Sequence, residues 1–219
     1  MDRALLILFA KAPRAGHVKT RLCPPLTGIE ASDLHSALVR DAAGMLDTMR
    51  QSADLQLSTD IATDAWSDLL FARSIQTTGD LGSRLLHALQ QGLAAGYRQV
   101  LILGSDAPNL PAAYLHDLLR SEADVALGPT RDGGFYAIAC RKVSHEMFKS
   151  VRWSTEYTLA DTLTAASSCQ LECETGPSWY DVDIPEDLRL MLQMTNAPEN
   201  VKAWIEQHPH IAKLSVTKS

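Results

Sequence analysis

The sequence predicts an α/β fold built on a mostly parallel sheet. Three observations carry this: apolar runs of strand length recur along the chain, they alternate with segments of helical period, and loops rich in Gly, Pro and charge follow several of them. At 219 residues the chain suits one domain with a substantial core.

Leu5 to Phe9 is the first buried strand. Thr27 and Glu30 then have capping-box spacing, and Leu34, Leu38, Ala42, Met45 and Met49 mark one face of a helix. Leu55 to Thr59 returns to strand character. Gly82 to Ala95 is a second helix with Leu85, Leu86, Leu89 and Leu93 inward and Gly96 at its end. Val100 to Leu103 has the character of a central strand. Pro111 suits the first turn of a helix carrying Leu115, Leu118 and Leu119, followed by strands Val125 to Leu127 and Phe135 to Cys140. A helix from about Thr155 carries Leu159 and Leu163, an extended piece follows near Leu171, and Pro185 opens a late helix through Met191. The organisation expected is one domain over 1–195 and an extension over 196–219, in which Val201, Trp204 and Ile205 suit a small docking helix.

The formal charge is −6, which argues against a nucleic-acid coat. Residues 10–25 nevertheless hold Lys11, Arg14, Lys19 and Arg21 with no acidic residue. The four cysteines are scattered and fit free thiols in a reducing compartment rather than a disulfide framework. Arg3 and the run Ala4 to Ala10 imitate a secretory signal, but the run is short and its basic flank is on the wrong side, so a buried strand and a cytoplasmic protein are expected. No later run reaches membrane-spanning length.

Five stretches carry chemistry. The first is the basic loop after the first strand, Phe9-Ala-Lys-Ala-Pro-Arg-Ala-Gly-His-Val-Lys-Thr-Arg-Leu22. Ligands of open α/β sheets bind at the carboxyl ends of strands, so Lys11, Arg14, Lys19 and Arg21 are placed to hold a nucleotide phosphate. The plain alternative is a solvated loop, against which stands the mutual repulsion of four cations without a countercharge. Gly16 is not followed by Lys, so this is not a Walker A loop. The second stretch is Gly104-Ser-Asp106-Ala-Pro-Asn-Leu-Pro111, where Asp106 leaves a buried strand in a tight turn and suits a hard divalent ion. The third is Tyr180-Asp-Val-Asp183-Ile-Pro-Glu-Asp-Leu188. Asp183 alone resembles a helix cap with Glu186 three residues on; paired with Asp106 it becomes a second metal ligand. Asp181 is ranked below it, as facing the opposite way in an extended segment.

Thr78-Gly-Asp-Leu-Gly-Ser-Arg84 offers Asp80 and Arg84 for base or ribose recognition, with a simple helix cap by Asp80 as the alternative. Gly128-Pro-Thr-Arg-Asp-Gly-Gly-Phe-Tyr136 puts Arg131 and Asp132 beside Gly133 and Gly134, which let a ligand approach the backbone or merely form a tight turn. Trp153, ahead of a helix, suits the wall of an acceptor pocket or an ordinary buried position. The histidines form no His-x-x-x-His pair, and no Gly-x-Ser-x-Gly elbow occurs, which disfavours zincin and α/β-hydrolase chemistry.

Taken in order from about Leu5 to Leu188, these five stretches resemble the bacterial DUF2064 family. The resemblance implies a single-domain GT-A, nucleotide-diphospho-sugar transferase-like fold, a Rossmann-type three-layer sandwich with Mg²⁺ or Mn²⁺ at Asp106. Gly104-Ser105-Asp106 stands where many glycosyltransferases have Asp-x-Asp. The family is also similar to small guanylyltransferases. The expectation is a metal-dependent glycosyltransferase acting on a nucleotide-diphospho-sugar and a small acceptor. Lys11, Lys19 and Arg21 would hold the diphosphate, Asp106 and Asp183 the metal, and Asp132 would act as base or orient the acceptor. Nucleotidyl transfer from an NTP, and nucleotide binding without catalysis, are the rivals. Neither a nucleic-acid nor a membrane partner is expected.

Overall fold

A computed structural model describes residues 3–193 and 198–212. Seven strands form one sheet: β1 (Ala4–Ala10), β2 (Ala53–Thr59), β3 (Ala72–Ile75), β4 (Gln99–Gly104), β5 (Val125–Pro129), β6 (Phe135–Cys140) and β7 (Cys173–Thr175). Their order is β3-β2-β1-β4-β6-β5-β7. Only β6 runs antiparallel to its neighbours, between β4 and β5. Helices α1 (Gly28–Asp47), α2 (Leu81–Ala94), α3 (Ala112–Arg120), α4 (Thr158–Ser168), α5 (Pro185–Leu192), α6 (Glu199–Gln207) and α7 (Pro209–Ala212) complete the described chain.

The sheet is covered on both faces because its central strands are apolar on both. On β1, Leu6 and Leu8 point to one layer and Leu5 and Ile7 to the other, as a two-residue period requires. The first layer packs on Val39 and Leu46 of α1 and on Leu115 and Leu118 of α3. The second packs on Leu85 and Leu89 of α2 and Ala166 of α4. Each such side chain contributes about 1.5–3 kcal/mol when fully buried. A third cluster joins Leu34 and Leu38 of α1 to Tyr180, Val182, Leu188 of α5, and Val201 and Trp204 of α6. Asp41 of α1 accepts from the Asn200 and Val201 N–H groups at the start of α6, at 3.0 and 2.9 Å, and so caps that helix from outside. The expected docking helix near Trp204 is therefore present, while 194–197 and 213–219 lie outside the described residues.

The α1 capping box forms as the sequence spacing requires, with Thr27 Oγ1 accepting from Glu30 N–H and the Glu30 carboxylate from Thr27 N–H. The apolar run at the start of the chain is the central strand β1, paired to β2 on one side and β4 on the other. No helix among the described residues is long and apolar enough to cross a membrane. β1 and β4 are adjacent although separated in the chain by β2 and β3. Ligands bind at such a switch point in open α/β sheets. Phe9 stands beside Gly104 in the register, so the basic loop and the Asp106 turn leave neighbouring strand ends.

Candidate active site

A cleft of about 550 Å³ opens at that edge. Lys11, His17, Lys19, Thr20 and Arg21 line it from the loop after β1, and Asp106 from the turn after β4. Thr130, Asp132, Gly134 and Phe135 come from the β5–β6 turn and the start of β6, and Trp153, Ser154, Thr155 and Thr158 from the approach to and start of α4. Asp181 and Asp183 come from the segment before α5.

Lys19 is the centre of this convergence. Its backbone is left-handed, φ 48°, an uncommon state for a side chain with a Cβ. Its side chain is 3% exposed, and its ammonium donates to Asp106 Oδ1 at 2.7 Å and to the Val182 carbonyl at 2.6 Å, with Asp183 Oδ1 at 3.9 Å. The Val182 N–H in turn donates to the Asp106 carbonyl at 2.8 Å. Three segments far apart in sequence are thus knotted at one point. Arg21 Nη1 meets Asp183 Oδ2 at 2.9 Å.

This corrects, for three of the four cations, the expectation that they lack a countercharge. Asp106 and Asp183 neutralise Lys19 and Arg21, and Asp60 lies 3.8 Å from Arg14. The sequence hid these partners because each is at least 46 residues away. Asp183 is not the cap of α5: the Asp187 carboxylate accepts from the Asp183 and Ile184 N–H groups at 3.1 and 3.0 Å and leaves the Asp183 carboxylate to the cleft. Asp181 also lines the cleft, against the expectation that it faces away. Residues two apart on an extended segment share a side, and Val182 between them is fully buried in the third apolar cluster.

Of the other residues singled out in the sequence, Lys11, Asp132, Gly134 and Trp153 line the cleft, whereas Arg14, Asp80, Arg84, Arg131 and Gly133 do not. Asp80 caps α2, its Oδ1 accepting from Ser83 N–H at 2.8 Å. Arg84, one turn into α2, points into a separate cavity and donates to Gln76 Oε1 at 3.3 Å. Arg131 is exposed and anchored through its own N–H to the Trp179 carbonyl. Gly133 has φ +88°, and a Cβ there would overlap the Glu156 backbone, so this glycine is required by close backbone approach of the turn to the loop before α4. Leu159 N–H donates to the Gly133 carbonyl at 2.9 Å and completes the join.

Electrostatics follow from this packing. Burial alone would raise the Asp106 carboxyl, but the Lys19 ammonium outweighs it, by charge and by hydrogen bond, and holds the group below the usual carboxylate range. Burial, then the charges of Asp132 and Asp106, push Asp181 up to about 6. Asp132 Oδ1 accepts from Thr130 Oγ1 and, at 3.1 Å, from Gly134 N–H, which fixes the carboxylate on its turn. His35, a residue the sequence reading passed over, is buried beneath the basic loop. Its Nε2 lies 2.9 Å from the Lys11 carbonyl, which can only accept, so that nitrogen carries the proton. Burial keeps this imidazole below its ordinary pKa. Trp153 packs against Phe135 and Phe148 and closes one wall.

Among the cleft's lining groups, Lys11, Lys19 and Arg21 face four carboxylates, Asp106, Asp132, Asp181 and Asp183. Acidic side chains are in excess. Among the described residues no three His, Cys, Asp or Glu side chains cluster as a ready-made metal cage. Asp106 and Asp183 are 46% and 40% exposed at the side chain and present hard oxygen donors to the cleft. That set fits a Mg²⁺ or Mn²⁺ ion sharing its shell with phosphate oxygens and water.

Comparison with known proteins agrees with this architecture. The DUF2064 profile, described as uncharacterized proteins conserved in bacteria, matches residues 38–155, more than half the chain. The chain belongs to the DUF2064 family. This DUF2064 protein is 26% identical over 183 residues to a 2-phospho-L-lactate guanylyltransferase of Methanothrix thermoacetophila, spanning 81% of this chain and 79% of the relative. A crystal structure from Desulfovibrio desulfuricans G20, described as a nucleotide-diphospho-sugar transferase, superposes with TM-score 0.86 at 27% identity over 98% of this chain and 99% of the other. A CMP:2-keto-3-deoxy-manno-octonic acid synthetase in complex with CTP shares the fold alone, with TM-score 0.58 at 11% identity, covering 94% and 100% of the chains. The DUF2064 match spans Asp106, Asp132 and Trp153 and leaves Lys19 and Asp183 outside it.

Proposed function

We propose that this protein is a metal-dependent transferase that binds a nucleotide-diphospho-sugar and moves its glycosyl group to a small acceptor. The single observation that carries the reading is the charge balance of the cleft, three cations against four carboxylates around the Lys19–Asp106 knot. A phosphate-rich ligand entering an acid-rich site needs a divalent cation to be held there. The nucleotide chemistry in the names of the guanylyltransferase relative and the nucleotide-diphospho-sugar transferase neighbour points the same way.

In this reading Lys11 and Arg21 hold the diphosphate, and Lys19 adds its charge from the back of the cleft. Asp106 and Asp183 hold the ion, which would neutralise charge on the departing nucleoside diphosphate. Asp132, fixed by Thr130 and Gly134, orients the acceptor. Asp181 takes the proton of the acceptor hydroxyl as its oxygen attacks the anomeric carbon, and the bond to the diphosphate breaks with its electron pair leaving on phosphate. The rise of Asp181 towards neutrality suits that task.

The second reading, nucleotidyl transfer, draws on the guanylyltransferase name of the relative. It makes less use of the acidic wall, because a phosphate nucleophile is largely deprotonated at neutral pH and needs no base. One assay separates the two: UDP- and GDP-sugars with Mn²⁺ should release the nucleoside diphosphate, whereas pyrophosphate released from an NTP would establish the rival. Metal-independent nucleotide binding that survives Asp106→Ala without turnover of any substrate would reduce the protein to a binding module.

A further inference from the structure

The cleft is electrostatically divided, and the division has a consequence for the acceptor. Every basic side chain lining it, His17 included, comes from residues 11–21. The rest of the lining, from the β5–β6 turn and the loop before α4, holds Asp132, Thr155, Thr158, Phe135 and Trp153 among others and no Lys, Arg or His, while Asp181 borders it from the segment before α5 that Lys19 and Arg21 hold. Of the nearest guanidiniums in sequence, that of Arg152 is engaged elsewhere and that of Arg131 is not among the lining groups. Arg152 is bound to Asp161 at 2.8 and 2.9 Å and lies 4.0 Å from the centre of the Tyr157 ring, and Arg131 stands outside the lining.

This wall is also firmly held. Ser154 keeps a left-handed backbone, φ 60°, between two other lining residues. Thr155 and Thr158 hydroxyls donate to the Arg152 carbonyl at 2.8 and 2.9 Å, and the turn at Gly133 is clamped to the same loop. A pre-formed surface of two carboxylates, hydroxyls and an aromatic face selects by charge, because it cannot rearrange to escape a mismatched partner.

We infer that the acceptor side of this cleft takes a neutral or amine-bearing polyhydroxy molecule, which donates hydrogen bonds to Asp132 and Asp181 and lays an apolar face on Trp153, and that it rejects phosphorylated or carboxylate acceptors. The inference rests on the transferase reading for the word acceptor, but the charge selection stands on the wall itself. A phosphate brought here meets the Asp132 and Asp181 carboxylates, whereas the basic side chains that line the cleft all stand on the loop after β1.

Glucose, glucosamine and glucose 6-phosphate share one ring and differ in charge, so they are the probes. Their binding to the full chain is measured by saturation-transfer NMR with GDP and Mn²⁺ present to fill the phosphate side, and counted only where Trp153→Ala weakens it. Glucose and glucosamine should bind at least about tenfold more tightly than glucose 6-phosphate, and Asp132→Asn with Asp181→Asn should close that gap to about threefold or less. Glucose 6-phosphate binding as well as or better than the others at the Trp153-dependent site overturns the inference, as does binding of none of the three. If the double variant does not fold, the comparison on the unaltered protein decides alone. Failure of GDP to bind with Mn²⁺, while the preference at Trp153 persists, overturns the donor reading and leaves the charge selection standing.

Discussion

Lys19 reaches Asp106 across 2.7 Å with its side chain almost wholly excluded from solvent. A lysine from the loop after the first strand thus neutralises an acid from the turn after the fourth, and the shared Val182 carbonyl draws in the segment carrying Asp181 and Asp183. The basic loop and the Asp106 turn are one structural unit.

Lys19→Met should expose the dependence of that unit on the ion pair. It leaves Asp106 facing Asp183 without the cation between them, at a cost of roughly 1–3 kcal/mol, less than for a deeply buried pair because the Asp106 carboxylate opens on the cleft. The folded Asp106 carboxyl lies below its ordinary value, so its contribution is full above about pH 4 and is lost as pH falls through the lowered folded value. Urea unfolding from pH 7 down to pH 3 should show the variant less stable at neutral pH and converging on the parent in acid. Equal stabilities at pH 7 would mean the pair contributes nothing.

Asp106→Asn and Asp183→Asn should each abolish metal-dependent nucleotide binding. Either change removes one of the two carboxylates assigned to the ion, and turnover should fall by about 10² or more. Titration calorimetry with GDP, with and without Mn²⁺, checks the binding. In the unaltered protein the metal should be required, since the cleft's own charges are acid-rich. Tight GDP binding in EDTA would contradict that charge argument.

The frame of this site was legible because strand order in an α/β sheet follows from the alternation of elements, and loops at strand ends carry the chemistry. Asp106 and the basic loop could be placed at one edge for that reason. β3 escaped notice because Ala-Arg-Ser-Ile is a short, largely exposed edge strand with no apolar run. Arg84 lies apart because α2 turns Leu81 toward the cleft and Arg84 toward a separate cavity against β2 and β3, a difference of direction that composition does not give. The spacing of Asp181 from Asp183 puts both on one side of an extended segment. The internal neutralisation of Lys19 and Arg21 is beyond local reading, since their partners, Asp106 and Asp183, come from distant segments of the chain.

Gly133→Ala should loosen the join between the β5–β6 turn and the loop before α4. Its backbone is left-handed, and the new Cβ would overlap the Glu156 carbonyl, so either the turn or the loop before α4 must shift. A loss of about 2 kcal/mol or more is expected, seen as a lower urea midpoint, together with faster amide exchange at Leu159, whose N–H donates to the Gly133 carbonyl. Gly134→Ala should disturb the Thr130–Asp132 contact instead, because its Cβ would lie 2.9 Å from Thr130 Oγ1, a side-chain atom able to turn away. Milder destabilisation of Gly134→Ala than of Gly133→Ala would confirm that backbone approach, not side-chain crowding, sets the glycine requirement.

Asp181→Asn separates function from stability. Burial and the nearby charges of Asp132 and Asp106 raise this carboxyl to about 6 in the folded protein, against an unfolded value near 4. The folded state therefore binds the extra proton between about pH 4 and pH 6, and the stability this gives is lost as pH rises through the folded value. Asparagine carries no charge to desolvate, so the variant should be more stable than the parent at pH 8, on the order of 1 kcal/mol, and indistinguishable from it below pH 4. If Asp181 is the base, the unaltered enzyme's kcat should rise with pH through about 6, and the variant should lose that limb together with about 10²–10⁴ in rate. A variant that gains stability at pH 8 but keeps both the limb and the rate would show that Asp181 does not take the proton.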